Sequence, residues 1–234
     1  MWSYYGSKSK IINLYPPPAY GKIIEPFAGT ARYALKYFDR DVLLVDKYPV
    51  IVSIWKWLQK CSEKDILGLP NIGADQTIND FKWDCEEAKM LIGFQIASSV
   101  ASPRITPTER KTTLRPKQQR YQLQRMAKNL HKIRHWKIIC GDYRDLANEQ
   151  ATWFIDPPYQ IGGEHYRMSN KALDFGELAD WCKTRNGQSI VCENTKADWL
   201  PFLPMRKMRG SLHTTTEAIW SNMPTAWDMQ QLAF

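Results

Sequence analysis

The sequence predicts an α/β protein built on a mostly parallel sheet. Five short apolar runs, several rich in β-branched residues, each end in an acidic or polar residue. They are Lys22-Ile23-Ile24 before Glu25, Val42-Leu43-Leu44-Val45 before Asp46, and Trp136-Lys137-Ile138-Ile139-Cys140 before Gly141-Asp142. Thr152-Trp153-Phe154-Ile155 precedes Asp156, and Ser189-Ile190-Val191-Cys192 precedes Glu193-Asn194. Runs of this length and content read as buried strands. Helical stretches over residues 30–38, 50–60 and 171–185 alternate with them, with Thr30 as a cap for the first and Asn186-Gly187 as a stop for the last. Such alternation gives a parallel sheet covered on both faces. Its ligand crevice lies at the carboxyl ends of the strands, where Glu25, Asp46, Asp142 and Asp156 all fall.

The alternation breaks over residues 61–135. Residues 65–80 are rich in Gly, Pro, Asn and Asp and read as loop. Residues 81–99 read as helix, with Ile92, Ile96 and Val100 on one side. Residues 102–116, with Pro103, Pro107 and Pro116, read as an exposed loop. Residues 117–135 form an amphipathic helix whose buried stripe is Leu123, Met126, Leu130 and Ile133. The expected organisation is one domain, 1–60 and 136–234, interrupted by a helical, basic subdomain over 61–135. Near the C-terminus, Thr214 to Asn222 reads as a strand of an antiparallel terminal hairpin.

With 234 residues the chain is long enough for a full core. No stretch approaches the ~20 apolar residues of a membrane span, and the first residues lack the apolar core of a secretion signal. The expectation is a soluble, cytoplasmic protein. Five scattered cysteines form no Cys-x-x-Cys pair, which argues against a disulfide framework or a structural zinc site. Cys140 and Cys192 sit in apolar runs and read as core. His131, His135, His165 and His213 show no metal spacing, and no metal is expected.

The net charge is +8, and one block supplies it. Residues 104–137 hold eleven Lys/Arg and one acid, a net of +10, so the rest carries −2. Such a block attracts a polyanion and favours nucleic acid as the partner. Arg104, Arg110, Lys111, Arg115, Lys117 and Arg120 are its candidate DNA contacts; a solvated helix face is the competing reading.

Asp156-Pro157-Pro158-Tyr159 is the most informative motif. The prolines donate no N–H, so carbonyl oxygens there are free to accept, beside an acid and a flat ring. That corner suits a planar amine held still for reaction. An ordinary strand-to-loop turn has similar composition. Glu25-Pro26-Phe27-Ala28-Gly29-Thr30 joins the first strand to the first helix. It lacks the Gly-Lys-Ser/Thr ending of a phosphate loop, and its acid suits an amine or a positive centre. Asp46 is placed to accept from ribose hydroxyls, and Asp142 beside Tyr143 to accept from and cover an adenine. The set implies an adenosine-type ligand without phosphates and with a cationic or zwitterionic tail, as in S-adenosylmethionine.

In this order, Tyr4-Tyr5-Gly6-Ser7-Lys8, Glu25-Pro26-Phe27-Ala28-Gly29, Asp46, Gly141-Asp142-Tyr143 and Asp156-Pro157-Pro158-Tyr159 resemble the Dam-type family of DNA adenine methyltransferases. The short phage and prophage members are the most similar, some with roles in restriction–modification. The resemblance covers residues 1–60 and 136–222; between them the chain matches only in position, as the place of the family's target-recognition region. It implies a Rossmann-like methyltransferase fold, S-adenosylmethionine as cofactor, and N6 methylation of adenine in double-stranded DNA after base flipping. It implies that Tyr4 and Lys8 enclose the cofactor, with Lys8 near its carboxylate. Glu25 to Gly29 would line the methionine end, Asp46 hold the ribose, and Asp142 with Tyr143 hold the adenine. Asp156 and the Pro157 carbonyl would accept from the target amine, and Tyr159 would stack on the target base. Other amine acceptors (cytosine N4 in DNA, adenine in RNA) and an inactive nucleic-acid-binding module are the alternatives. Two residues depart from the pattern: Ala31 stands where many relatives have glycine, and Tyr4 where tryptophan is frequent.

Overall fold

The computed structural model describes residues 2, 4–97, 100–112, 117–209 and 214–225. Five parallel strands, β1 (Lys22–Glu25), β2 (Asp41–Asp46), β3 (Lys137–Cys140), β4 (Ala151–Ile155) and β5 (Gly187–Asn194), form most of one sheet. A C-terminal hairpin of β6 (Leu203–Arg209) and β7 (Thr214–Ser221) completes it. The order is β3-β2-β1-β4-β5-β7-β6, with β7 antiparallel to both its neighbours. The architecture is α/β and compatible with a Rossmann-like fold. The order reverses between β1 and β4, which opens a crevice at their carboxyl ends.

Strand periodicity explains why both faces are covered. Ile23, Leu44, Phe154 and Cys192 join one core, while Ile24, Leu43, Trp153 and Val191 join the other. The first core packs beneath α1 (Arg32–Lys36) and α2 (Pro49–Lys60), the second beneath the last helix. Fully burying a side chain such as Leu44 or Phe154 contributes roughly 1.5–3 kcal/mol.

The break over 61–135 contains α3 (Glu63–Gly68), α4 (Glu86–Gln95), α5 (Glu109–Thr112) and α6 (Gln118–Ala127). Its described residues form no separate core. Ile66, Leu91, Phe94, Leu123 and Ile133 belong to the same cluster as Ile23, Leu44 and Trp55. The stripe Leu123, Met126, Leu130 and Ile133 is buried. The last helix among the described residues, α7 (Phe175–Lys183), crosses from β4 to β5.

Several expected elements are shorter than the sequence suggests. α1 begins at Arg32, not Thr30. Ala31 adopts the left-handed conformation (φ 45°) just before it, and the Thr30 hydroxyl pairs with Ser7 Oγ at 3.1 Å rather than capping. Part of the loop expected over 65–80 is the end of α3, which a reciprocal Ser62/Asp65 capping box starts. Of the helix expected over 81–99, residues 98–99 lie outside the described residues, and the described part is helical only over α4. Arg104 N–H and Thr108 N–H take the Gly93 and Ile96 carbonyls and end it. The helix expected over 117–135 breaks after α6 and resumes as a 3-10 turn, Leu130–Ile133. The helix expected over 171–185 starts as a 3-10 turn, Asn170–Ala172. It becomes α7 only after Asp174, which accepts from Glu177 N–H. Cys140 is exposed, because β3 is an edge strand; Cys192 is fully buried as expected, and all five cysteines are free. Among the described residues no helix is long and apolar enough to cross a membrane, and no cluster of His, Cys, Asp or Glu could hold a metal.

Candidate active site

The four strand-end acids meet. Glu25, Asp46, Asp142 and Asp156 all line one cavity of about 950 Å³ at the carboxyl ends of β1, β2, β3 and β4. Tyr4, Pro26, Phe27, Ala28, Gly29 and Tyr143 line it too.

The turn after β1 is fixed by backbone bonds. Ala28 N–H donates to Val45 O at 3.0 Å, and Gly29 N–H to Asp46 Oδ2 at 2.9 Å. Gly29 sits at φ 45°, where glycine escapes the left-handed penalty, and a Cβ there would lie 3.5 Å from the Tyr4 ring. Tyr48 N–H donates to Asp46 Oδ1 at 2.8 Å. Burial pushes the Asp46 carboxyl up to about 6, with the two N–H bonds opposing. A carboxylate oxygen accepts about two hydrogen bonds, so Asp46 keeps capacity towards the cavity.

Glu25 is 2 % exposed and accepts from Ala34 N–H at 2.6 Å, the third residue of α1. Burial pushes it up to about 8 against that bond. Asp142 accepts from Lys47 Nζ at 2.8 Å and from Arg144. Burial alone would raise it; the bonds to Lys47 and Arg144 outweigh that and hold it below the usual carboxylate range. Phe27 and Tyr143 pack with ring centroids 5.4 Å apart. The Tyr143 hydroxyl is buried without a partner.

Lys8 is 4 % exposed. Its ammonium lies 2.7 Å from Asp156 Oδ1 and 3.1 Å from Gly6 O, and 4.8 Å above the Tyr159 ring. It lines the cavity as expected, but its charge is spent on Asp156 rather than open to a ligand carboxylate. Burial pushes Asp156 up while the Lys8 ammonium pulls it down; the net direction is up.

A second cavity, of about 630 Å³, adjoins the first. Lys8, Tyr5, Gly6 and Tyr166 line both. Asp156 and Pro158 face the first, whereas Tyr159, Asn194 and Glu217 face the second. The Asp156–Lys8 pair thus stands at the partition. Pro157 is buried and lines neither cavity, whereas Asp156 and Pro158 line the first.

Residues without a motif hold this corner. Tyr159 Oη donates to Glu217 Oε2 at 2.6 Å. Buried Glu193 accepts from the N–H groups of Gln160 and Asn194. Asn170 Nδ2 donates to the carbonyls of Tyr159 and Gln160, and Asn194 Nδ2 to that of Ile161. Gly6 (φ 69°) lets the chain pass Tyr166, whose Oη lies 1.8 Å from where a Cβ would stand. The strand-end rule finds the position of Glu193 but not its role. Glu217 lies within β7, where alternation gives no signal, Tyr166 lies in a loop without pattern, and Asn170 opens a 3-10 turn.

The basic candidates divide. Arg104, Lys117 and Arg120 are exposed, with Arg120 also donating to Leu67 O at 2.6 Å. Lys111 is only 3 % exposed, which removes it as a surface contact: α5 turns it inward. Arg115 and the Arg110 side chain lie outside the described residues. Tyr121 is exposed on α6 beneath Arg125, 5.9 Å from its ring.

No protein-family model matches the chain, and no curated protein matches its sequence.

Proposed function

We propose that this protein is a DNA adenine-N6 methyltransferase that uses S-adenosylmethionine. One observation carries the reading: the Asp46 end and the Asp156 corner share one cavity, and a second cavity opens beside Tyr159. An open parallel sheet ending in an antiparallel hairpin is also the architecture the motif resemblance implies.

The residues present fit that cofactor. Asp46 has acceptor capacity for ribose hydroxyls. Phe27 and Tyr143 offer aromatic faces on the cavity wall. Glu25 suits an ammonium, whose arrival would favour its ionised form. The bound cofactor supplies an electrophilic methyl group.

The chain supplies position and charge. The lone pair of an adenine amine is delocalised into its ring, so the amine is a weak nucleophile. Asp156, accepting from the amine N–H, localises that lone pair and stabilises the positive charge that develops on nitrogen. Tyr159, tethered by Glu217, offers a stacking face in the second cavity. The ordered loop after β4 fixes both, so alignment is prepaid by the fold. The amine proton can leave once nitrogen is cationic, so Asp156 needs no unusual basicity. A stacked base cannot reach this corner, and base flipping is part of the proposal. Exposed Arg104, Lys117 and Arg120 would attract the phosphate backbone.

Sequencing of modified bases in DNA from cells expressing the chain tests this. N6-methyladenine at a recurrent sequence supports it. Modified cytosine instead, or unmodified DNA, contradicts it.

A further inference from the structure

Among the described residues, three cations line the first cavity: Lys8, Lys47 and Arg32. Lys8 is paired with Asp156 and Lys47 with Asp142. Arg32 has no carboxylate partner among the described residues. Its Nε donates to Ser7 Oγ at 3.0 Å and its Nη2 to Trp2 O at 2.8 Å, both neutral acceptors. A guanidinium carries five N–H donors, and among the described residues two of them are taken. Burial pushes Arg32 down to about 10, with Arg125 adding repulsion. A desolvated cation with unfilled donors on a cavity wall favours an anion there.

Its neighbourhood narrows the anion. Arg32 opens α1, and Glu25 is bound two residues further on, at Ala34 N–H. The same cavity is thus lined by a guanidinium and a carboxylate. That pairing matches an α-amino acid, with the ammonium to Glu25 and the carboxylate to Arg32.

We infer that Arg32 binds the α-carboxylate of the cofactor's methionine tail, a place that Lys8 leaves open by pairing with Asp156. This rests on the S-adenosylmethionine reading of the cavity. Because Arg32 also holds Ser7 and Trp2, carboxylate binding would brace the segment that carries Lys8.

Calorimetric titration of the full chain with S-adenosylmethionine and with its decarboxylated analogue tests the inference. The two ligands differ only in the group that Arg32 would hold. The wild type is expected to bind the intact cofactor about 10- to 100-fold more tightly, the range for a hydrogen-bonded charge pair. Arg32→Gln should remove most of that preference while changing affinity for the decarboxylated analogue by less than about 3-fold. Arg32→Lys should keep part of it. The ratio is taken within each protein sample, so a partly unfolded variant does not distort it. Equal binding of both ligands by the wild type, or an unchanged ratio in Arg32→Gln, overturns the inference while leaving the cofactor reading intact. Folded wild type that binds neither ligand overturns both.

Discussion

Lys8 and Asp156, 148 positions apart in sequence, form a buried ion pair of 2.7 Å at the partition between two cavities. The pair joins the N-terminal segment to the end of β4. Removing either partner strands a charge in a desolvated place, which costs several kcal/mol in buried pairs.

Asp156→Ala should lower methyl transfer by at least about 100-fold, because an oriented acceptor at the reacting nitrogen is lost. Cofactor affinity should change far less, since Asp46 and the turn after β1 are untouched. Parallel single-turnover and binding measurements check this. Near wild-type turnover would remove the corner from the mechanism.

The raised carboxyls give a pH signature. Glu25, Glu193 and Asp46 titrate at about 8, 7 and 6 in the folded chain, above the ordinary values, chiefly because burial disfavours their charge. The folded state therefore holds protons that the unfolded state has released. Their contribution to stability is full below the ordinary carboxyl range and is lost as pH rises through about 6 to 8. The ligand-free protein should melt higher at pH 6 than at pH 8.5, and Glu25→Gln should flatten the difference. A melting temperature that climbs over this interval in the wild type would contradict the burial argument.

Glu217 sets the tilt of Tyr159 through the 2.6 Å bond. Glu217→Gln keeps an acceptor and should stay within about 3-fold of wild-type kcat/KM, whereas Glu217→Leu should lose about 10-fold or more, consistent with one strong hydrogen bond. Steady-state kinetics at fixed cofactor separates the two. Equal effects would mean the bond does not orient the ring.

Ala31 is the one described non-glycine residue with positive φ. Ala31→Gly relieves about 1 kcal/mol of left-handed strain, while chain entropy and a lost buried methyl oppose it by a similar amount. Its melting temperature should stay close to wild type. Ala31→Val should cost roughly 1–3 kcal/mol or more, because a branched side chain is poorly tolerated there.

Neutralising Arg115, Lys117 and Arg120 together should weaken DNA binding and flatten its log–log salt dependence by up to about 3 units, near one per phosphate contact. Lys111→Ala should leave that slope unchanged, because Lys111 is buried. A triple variant with the wild-type slope returns the block to a solvated surface.

The parts of the site readable in the sequence are those fixed by strand ends. Glu25, Asp46, Asp142 and Asp156 each follow a buried apolar run, and a parallel sheet gathers its carboxyl ends. The amphipathic stripe of α6 was legible because its period is helical. Residues that act through tertiary contact were not. Glu193 accepts from Gln160 N–H, 33 positions away, and Asn170 donates to the Gln160 carbonyl 10 positions back; no local pattern encodes either bond. The sequence misplaces helix ends where a left-handed residue or a distant partner decides them, as Ala31 does for α1 and Thr108 for α4. The charge of residues 104–137 was legible in total but not residue by residue, since burial of Lys111 depends on how α5 packs.

Incubation of the purified chain with methyl-labelled S-adenosylmethionine and duplex DNA, followed by nucleoside analysis, tests the central claim most directly. The expected result is label in N6-methyldeoxyadenosine with wild type and none with Asp156→Ala. Label in deoxycytidine, or no label despite measurable cofactor binding, would contradict it.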